Sequence, residues 1–284
     1  LQFVEVSYAD VAASLSTRAP YIADSTFSNN GTSIQVGNNN NGGAPHIERN
    51  SFTGGNGMYG AIALSGGQPL IQQNSFVGGM IGIGNNMMMS SSGGPSILYN
   101  TFRNGAAPIS LSGSPIIIGN VIQNNTGTAI NVSCCVSNAP VIRDNVIVGN
   151  GGGINGSNLQ LVDIEHNLIA NNGGTGGGMC PPNCGGGAAL ALDVQSSGFI
   201  TQSNGVRNNT IIHNTGYGIQ LGGQAAASVP IANNNLFGNG TYDLYLTGGQ
   251  AGTQNFTVDA ANNFWNVDAS QVAGRIRDCT FDDN

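Results

Sequence analysis

A short motif recurs along nearly the whole chain and limits what this chain can fold into. Its clearest copy, at residues 45–55, has the pattern Pro-x-Ile-x-x-Asn-x-Phe/Ile, followed two residues later by an Asn/Gly pair. The central polar residue recurs at Ser25, Asn50, Asn74, Asn100, Asn120, Asn145, Asn167, Asn209, Asn235 and Asn262. Successive copies lie 20–27 residues apart, except for one step of 42 residues. A fixed period of this length indicates a solenoid, in which each repeat is one coil.

Apolar residues flank each copy with the period of short strands. A large apolar side chain follows the central residue by two positions, and Ile or Val usually precedes it by three. Between copies lies a second apolar alternation, as in Ile34-Gln-Val36 and Ile219-Gln-Leu221. Period-two alternation predicts strands with one buried face, and the frequent Gly and Asn residues disfavour long helices. Each coil is therefore predicted to hold about three short strands, and stacked Asn side chains are predicted to form an inward polar ladder.

The repeated pattern resembles the right-handed parallel β-helix of the pectin-lyase-like superfamily, in particular the secreted β-helix repeat proteins of bacteria. The resemblance runs from about Ile22 to Trp265. It implies an all-β solenoid of about ten coils. Asp268-Ala-Ser-Gln271 resembles a capping box, so a short helix over Val272–Arg277 is expected to cover the last coil. Because this superfamily includes enzymes, tailspikes and adhesive stalks, the resemblance is specific for fold and not for function.

The repeat divides the chain into three parts. Residues 1–19 are interpreted as an incomplete first coil and a loop, residues 20–266 as the β-helix, and residues 267–284 as a cap and the start of a further segment. A Gly- and Cys-rich insertion near 171–187 accounts for the long step. The chain is interpreted as a mature or excised piece of a longer exported protein.

The cysteines suggest an oxidising compartment. Cys134, Cys135, Cys180 and Cys184 are candidates for a disulfide that pins the insertion, and Cys279 is left over. The Cys-x3-Cys spacing also permits zinc, but no second Cys/His pair lies nearby, so no metal is assigned. Localisation outside the cell or at its surface is the resulting expectation.

Composition disfavours several partners. Charged residues make up 7% of the chain, the formal net charge is −7, and all seven cations are Arg. An acidic chain of this kind lacks the basic stripe that nucleic acids require. No apolar run approaches the length of a membrane span. Polysaccharides, other surface proteins and copies of the chain stacked end to end remain as partners.

Charged residues collect on one strand position of three consecutive coils. The outward positions of the Pro-x-Ile strand give Arg143 with Asp144, Glu165 with His166, and Arg207, and Asp163 lies close in sequence. Asp144, Glu165, His166 and Arg207 are the candidate catalytic residues, because His beside a carboxylate can transfer protons and Arg can hold an acidic sugar. The competing interpretation is a cross-strand salt ladder. His46, Glu48 and Arg49 form a smaller group several coils away.

Other candidates for binding are weaker. Arg143 and Asp163, with Tyr217 and Tyr245, are candidate ligand-binding residues. The tyrosines, including Tyr59, Tyr99 and Tyr242, are too dispersed in the sequence to predict one sugar-stacking platform. The outward row of the alternating strands carries no carboxylate, so calcium is not supported and no cofactor is expected.

These features favour a non-catalytic extracellular β-helix over an enzyme. The expected role is a surface, sheath, filament or adhesive structural protein that contacts glycans or neighbouring proteins. The alternative is a polysaccharide lyase or glycoside hydrolase with a site on the outer face of the β-helix.

Overall fold

The computed structural model describes residues 1–16, 19–37, 44–55, 57, 60–85, 94–133, 139–173, 187–195, 204–223, 226–247 and 258–277. Within these residues the chain winds through three parallel sheets, and it visits them in the same order on every turn. Sheet I comprises β1 (Glu5–Ser7), β4 (Thr26–Ser28), β7 (Ser51–Thr53), β10 (Ser75–Val77), β13 (Thr101–Arg103), β16 (Val121–Gln123), β19 (Val146–Val148), β22 (Leu168–Ala170), β25 (Thr210–Ile212) and β28 (Asn235–Phe237).

Sheets II and III complete the coil. Sheet II comprises β2 (Val11–Leu15), β5 (Thr32–Val36), β8 (Ile62–Leu64), β11 (Ile81–Asn85), β14 (Ala107–Ser112), β17 (Thr128–Ser133), β20 (Gly152–Leu159), β23 (Ala188–Val194), β26 (Tyr217–Gly222), β29 (Leu244–Leu246) and β30 (Ile276–Arg277). Sheet III comprises β3 (Tyr21–Ala23), β6 (His46–Glu48), β9 (Leu70–Gln72), β12 (Ser96–Leu98), β15 (Ile116–Ile118), β18 (Val141–Arg143), β21 (Asp163–Glu165), β24 (Gly205–Arg207) and β27 (Ile231–Ala232).

This arrangement confirms the predicted all-β solenoid. The number of complete turns is slightly lower than the ten expected, because the first turn has strands only in sheets I and II and the last turn has a strand only in sheet II. The middle residue of each short strand points inward, so identical side chains stack in the core. Phe27, Phe52, Phe76 and Phe102 stack with ring centroids 4.5–5.2 Å apart. Such in-register stacking buries the apolar face of every coil against its neighbours.

The predicted Asn ladder lies at the corner between sheets III and I. Each Asn Oδ1 accepts the backbone N–H of the equivalent residue one coil earlier, at 2.8–3.1 Å. Its Nδ2 donates to a backbone carbonyl of the earlier coil and to the Oδ1 of the next Asn. Every rung therefore satisfies buried polar groups on both sides, which keeps this corner free of unpaired donors.

The last two rungs differ from the prediction by one residue. The ladder runs through Asn234 and Asn263, and not through Asn235 and Asn262 as the motif suggested. The strand after Pro230 is shorter by one residue, so Ile231 and Leu236 point inward and Phe237 points outward. Since the side-chain period of a strand is two, a slip of one residue exchanges the two faces.

A second ladder, which the sequence analysis did not identify, lies at the corner between sheets I and II. It runs through Asn125, Asn150, Asn172, Asn214 and Asn239. The backbone nitrogen of each Asn lies 2.9–3.2 Å from the Oδ1 of the Asn in the next coil. The Asn/Gly pair of the motif was its signal in the sequence. Three earlier coils carry Gly55, Gly79 and Gly105 at the equivalent position, where the stacked Phe rings lie alongside.

The predicted helix near the C-terminus is present but packs differently. Ala269–Arg275 forms a 3₁₀-helix with Asp268 at its N-cap, and the Asp268 side chain forms no cap hydrogen bond. No residue of this helix is buried, so the helix itself does not cover the core. The following strand, β30, pairs with β29 and covers the end of sheet II. A shorter 3₁₀-helix spans Ala226–Ser228.

Candidate functional site

Two features of the coil position the charged residues of sheet III. Strands β18, β21 and β24 pair in register, so Arg143, Glu165 and Arg207 form one outward column, as the sequence predicted. Each strand is followed directly by a residue with positive φ, which turns the chain towards the Asn ladder; for His166 φ is 55°. The corner residues Asp144 and His166 are therefore exposed and lie on adjacent coils.

Arg143 is paired mainly with Asp163 and less closely with Glu165. Its Nη2 lies 2.8 and 2.7 Å from the two carboxylate oxygens of Asp163, and its Nε lies 3.1 Å from Oδ1. The closest distance to a Glu165 oxygen is 3.6 Å. Asn204 Nδ2 also donates to Asp163, which is buried. The hydrogen bond to Asp163 raises the pKa of Arg143 above its usual value.

The rest of this group does not converge on one point. Arg207 forms no ion pair with any described residue, and Glu165 lies between it and Arg143 along the column. The candidate catalytic residues Asp144, Glu165, His166 and Arg207 thus line a ridge formed by one strand column and one corner. A small pocket lies elsewhere in the described residues and is lined by Phe76 and Phe102. The group therefore contains cross-strand ion pairs of Arg143, as in a salt ladder, and an exposed edge formed by Asp144 and His166.

A second charged network lies on sheet III near the N-terminal end. Arg49 donates to both Asp24 oxygens, at 2.8 and 3.0 Å, and to the Tyr21 hydroxyl, at 3.0 Å. It also contacts Glu48, whose carboxylate accepts bonds from Tyr21 at 2.7 Å and from Gln72 at 2.6 Å. Glu48 and Arg49 were predicted to group here from the sequence, but Tyr21 and Asp24 were not, because only the stacking of coils brings them alongside. His46 is exposed on the same strand.

These contacts shift the ionisation of the network. The hydrogen bond from Arg49 lowers the pKa of Asp24 from 3.8 to about 2, and the hydrogen bond from Gln2 adds to this effect. The Tyr21 hydroxyl, followed by Gln72, lowers the pKa of Glu48. The same Asp24 contact raises the pKa of Arg49. Both carboxylates therefore stay ionised at neutral pH, as partners of a fixed network.

Acid is expected to weaken this end of the protein through Asp24. Because the folded-state pKa lies below the unfolded-state pKa, the stabilisation is complete above about pH 4 and is lost as the pH falls towards about 2. The melting temperature of the wild-type chain should therefore fall more steeply over this window than that of Asp24→Asn. Asp10→Asn, at an exposed aspartate outside the network, is the control and should keep the wild-type slope. Equal slopes for all three proteins would contradict this assignment.

The candidate binding tyrosines are gathered at the C-terminal end of sheet II. The prediction that the tyrosines are dispersed is wrong for three of them. Tyr217 and Tyr245 have ring centroids 4.6 Å apart, and Tyr242 lies 6.0 and 6.4 Å from them. The Arg277 guanidinium lies over Tyr242 and Tyr245. Stacking of the last coils places these residues together, although 28 positions separate Tyr217 from Tyr245 in sequence.

Burial limits what the tyrosine cluster can bind. Tyr217 is 5% exposed and Tyr245 is 8% exposed, so neither ring offers a face to a sugar. Tyr242 is half-buried. The cluster packs on Ala188 and Ala191, whose small side chains leave room for the rings on the outer surface of sheet II. These contacts indicate a packing role at this end of the rod.

Several other predictions concern residues outside the described part. Cys134, Cys135, Cys180, Cys184, Cys279 and Tyr59, and most of the insertion near 171–187, lie there. In the described part, no cluster of three metal-binding side chains is found. The same part of the chain has no helix long and apolar enough to cross a membrane.

Comparison with known proteins gives the family and nothing finer. The model of the right-handed β-helix region matches residues 12–177 and 85–264, two overlapping ranges that together cover most of the chain. No curated protein and no solved structure matches the chain. The three parallel sheets and the stacked coils agree with this match. The chain therefore belongs to the right-handed parallel β-helix family.

Proposed function

We propose that this chain is a non-catalytic extracellular β-helix that serves as a rigid surface, sheath or adhesive structural element. The observation that carries the proposal is the use of its polar side chains within the fold. Arg143 binds Asp163, Arg49 binds Asp24 and Glu48, and Arg275 binds Asp243. The side chains of the inner Asn residues form the coil-to-coil hydrogen bonds of the two ladders. A chain that commits three of its Arg side chains and its inner amides to such contacts is suited to a rigid structural role.

The outer faces suit contacts with neutral partners. In sheet II the outward row reads Gln35, Ala63, Gly84, Ser110, Asn131, Asn155, Ala191, Gln220, Tyr245 and Arg277. Only its last member is charged. In sheet I the outward residues are mainly hydroxyl-bearing in β4 and β7 and aliphatic in β19 and β22, and the last two strands present Thr210, Ile212, Asn235 and Phe237. Such faces fit uncharged glycan chains or the surfaces of other proteins.

Binding without cleavage is the expected behaviour. The purified chain should co-sediment with insoluble neutral polysaccharides or with intact cell walls, and electron microscopy should show uniform rods on these surfaces. A chain unfolded in acid and returned to neutral pH without refolding is the control for nonspecific adhesion. Absence of binding to every surface tested, together with a cytoplasmic location of the native protein, would contradict the proposal.

The alternative is a lyase or hydrolase that acts at the ridge of Glu165, His166 and Arg207. One observation favours it: an exposed His lies directly after the carboxylate that separates two Arg side chains. Acid–base catalysis would need a substrate to lie within hydrogen-bond distance of these groups. A polysaccharide-cleavage assay with Glu165→Gln and His166→Ala variants separates the two functions.

A further inference from the structure

Tyr99 occupies a corner position that disfavours its own side chain. It directly follows β12, at the corner between sheets III and I, and its φ is 56°. Bulky residues rarely adopt this left-handed conformation, which Gly, Asn and Asp tolerate. In six other coils the same corner is filled by one of those three residue types, at Asp24, Gly119, Asp144, Asn208, Asn233 and Asn262. Asparagine would therefore suit position 99 better than tyrosine, and a strained residue of this kind is a candidate for function.

Packing does not account for the tyrosine either. Tyr99 is 60% exposed, so most of its ring contributes nothing to the core. One edge of the ring is braced on the next coil, because a methyl group added at Gly119 would come within 2.5 Å of the ring atoms Cδ1 and Cε1. The backbone N–H of Tyr99 donates to the Ile118 carbonyl at 3.0 Å, which fixes the corner to the same coil. The result is a positioned aromatic ring with open surface on the outside of the rod.

The surface around Tyr99 carries no charge. Strands β9, β12 and β15, with the corner residue after each, contain no acidic or basic side chain. The charged network of Arg49 lies one coil before these three coils, and the group of Arg143 begins one coil after them. Ile116 is 39% exposed and Leu98 is half-buried there. This part of sheet III is called the uncharged window below, and it suits a ligand without charge.

Polar side chains continue the corner on both sides of Tyr99. Gln73 lies one coil before it, and Asp144 and His166 lie on the two coils after Gly119; all three side chains are exposed. Neighbouring coils are about 4.8 Å apart, which is close to the length of one sugar unit in an extended β-1,4-linked chain. A glycan that lies along this corner therefore passes about one sugar per coil. The aromatic ring can stack on the apolar face of a sugar, and the polar side chains can bond its hydroxyl groups.

We propose that Tyr99 is the stacking platform of a glycan-binding site on the corner between sheets III and I, and that the ligand is an uncharged, extended polysaccharide chain that runs along the rod. The lack of a cation in the uncharged window and the carboxylate of Asp144 beside it both disfavour an acidic glycan. This inference rests on the proposed function, a β-helix that contacts glycans, and states where and through which side chain the contact is made.

Calorimetric titration with soluble hexasaccharides tests the site. The neutral probes are cellohexaose, xylohexaose, mannohexaose and chitohexaose, and the acidic probe is hexagalacturonate. Wild-type protein should bind at least one neutral probe, and Tyr99→Asn should weaken that binding about ten-fold or more, because the stacking surface is lost. Tyr99→Phe keeps the ring and should bind as the wild type does.

Tyr8→Asn is the matched control. Tyr8 is also an exposed tyrosine at a corner with positive φ, 59°, but it lies outside the uncharged window. Its substitution should leave binding unchanged. Equal losses for Tyr8→Asn and Tyr99→Asn would overturn the assignment of the site to the uncharged window.

Unfolding measurements separate a binding role from a structural role. Because asparagine tolerates the left-handed conformation, Tyr99→Asn should keep or raise the melting temperature while it loses the ligand. A melting temperature well below that of the wild type would give the ring a packing role and overturn the proposal.

The remaining outcomes distinguish this inference from the proposed function. Wild-type binding by Tyr99→Asn, a preference for hexagalacturonate, or no binding of the wild type to any neutral probe would overturn the inference. If co-sedimentation with polysaccharides or cell walls persists undiminished in Tyr99→Asn, the proposed function stands and its glycan contact lies elsewhere. A wild-type chain that co-sediments with no surface and binds no hexasaccharide would contradict both.

Discussion

Asn234→Ala is expected to lower the free energy of unfolding by about 3–5 kcal/mol, because it removes one whole rung of the first ladder. The Oδ1 of Asn234 accepts the N–H and the Nδ2 of Asn209, at 2.9 and 3.0 Å. Its Nδ2 donates to the Val206 carbonyl and to Asn263, also at 2.9 and 3.0 Å. Alanine leaves these buried partners unsatisfied, and each such group costs about 1–3 kcal/mol, not fully additively. Chemical denaturation followed by circular dichroism measures the loss.

The neighbouring residue provides a matched control. Asn235 is exposed, and its Nδ2 has one described bond, to Thr210 Oγ1 at 3.2 Å. Asn235→Ala should change the free energy of unfolding by about 0.5 kcal/mol or less. The repeat pattern alone suggests the opposite order for these two substitutions. A larger loss for Asn235→Ala than for Asn234→Ala would mean that the last coils have the register of the motif.

Arg143→Gln is expected to lower the free energy of unfolding by about 2–3 kcal/mol, because it leaves the Asp163 carboxylate buried without its cation. Side-chain exposure is 6% for Asp163 and 35% for Arg143, so the carboxylate cannot regain water without a local rearrangement. Asn204 remains as a donor at 3.0 Å, which limits the loss. Adding Asp163→Asn to Arg143→Gln should recover much of it, since the pair is then neutral. Thermal and denaturant unfolding of the three proteins measure these differences.

Arg207→Gln is the control for this prediction. Arg207 lies one coil beyond Glu165 in the same column and has no ion pair within the described residues. Its substitution should change stability by about 0.5 kcal/mol or less. Losses of equal size for Arg143→Gln and Arg207→Gln would show that the whole column acts as a salt ladder. A loss at neither position would remove the structural role assigned to Arg143.

The fold could be predicted because a solenoid makes each coil repeat the same local requirements. A corner needs an Asn at one place and an apolar side chain two residues later, and these needs appear in the sequence with a constant spacing. The prediction was wrong at Asn235 because the motif near Pro230 is one residue shorter, and spacing alone does not show which of three consecutive Asn residues points inward. The second ladder was missed because glycine replaces Asn in three coils and obscures the column.

The charged residues were less predictable, because their partners come from other coils. The column of Arg143, Glu165 and Arg207 follows from register, and the sequence predicted it. The preference of Arg143 for Asp163 over Glu165 depends on side-chain direction, and no spacing rule contains that information. Likewise, Asp243 and Arg275 lie 32 residues apart and meet only because β30, which follows Arg275, pairs with β29. Contacts between residues so far apart in the sequence become visible only in the three-dimensional structure.

The most direct test of the central claim, that this β-helix is a structural element and not an enzyme, is a cleavage assay. The purified chain is incubated with a panel of acidic and neutral polysaccharides, and new reducing ends and unsaturated products are measured. We expect neither product above the level of a heat-denatured sample. Product that disappears in Glu165→Gln and His166→Ala, but persists in His213→Ala at an exposed His on another corner, would contradict the claim and assign catalysis to the ridge on sheet III.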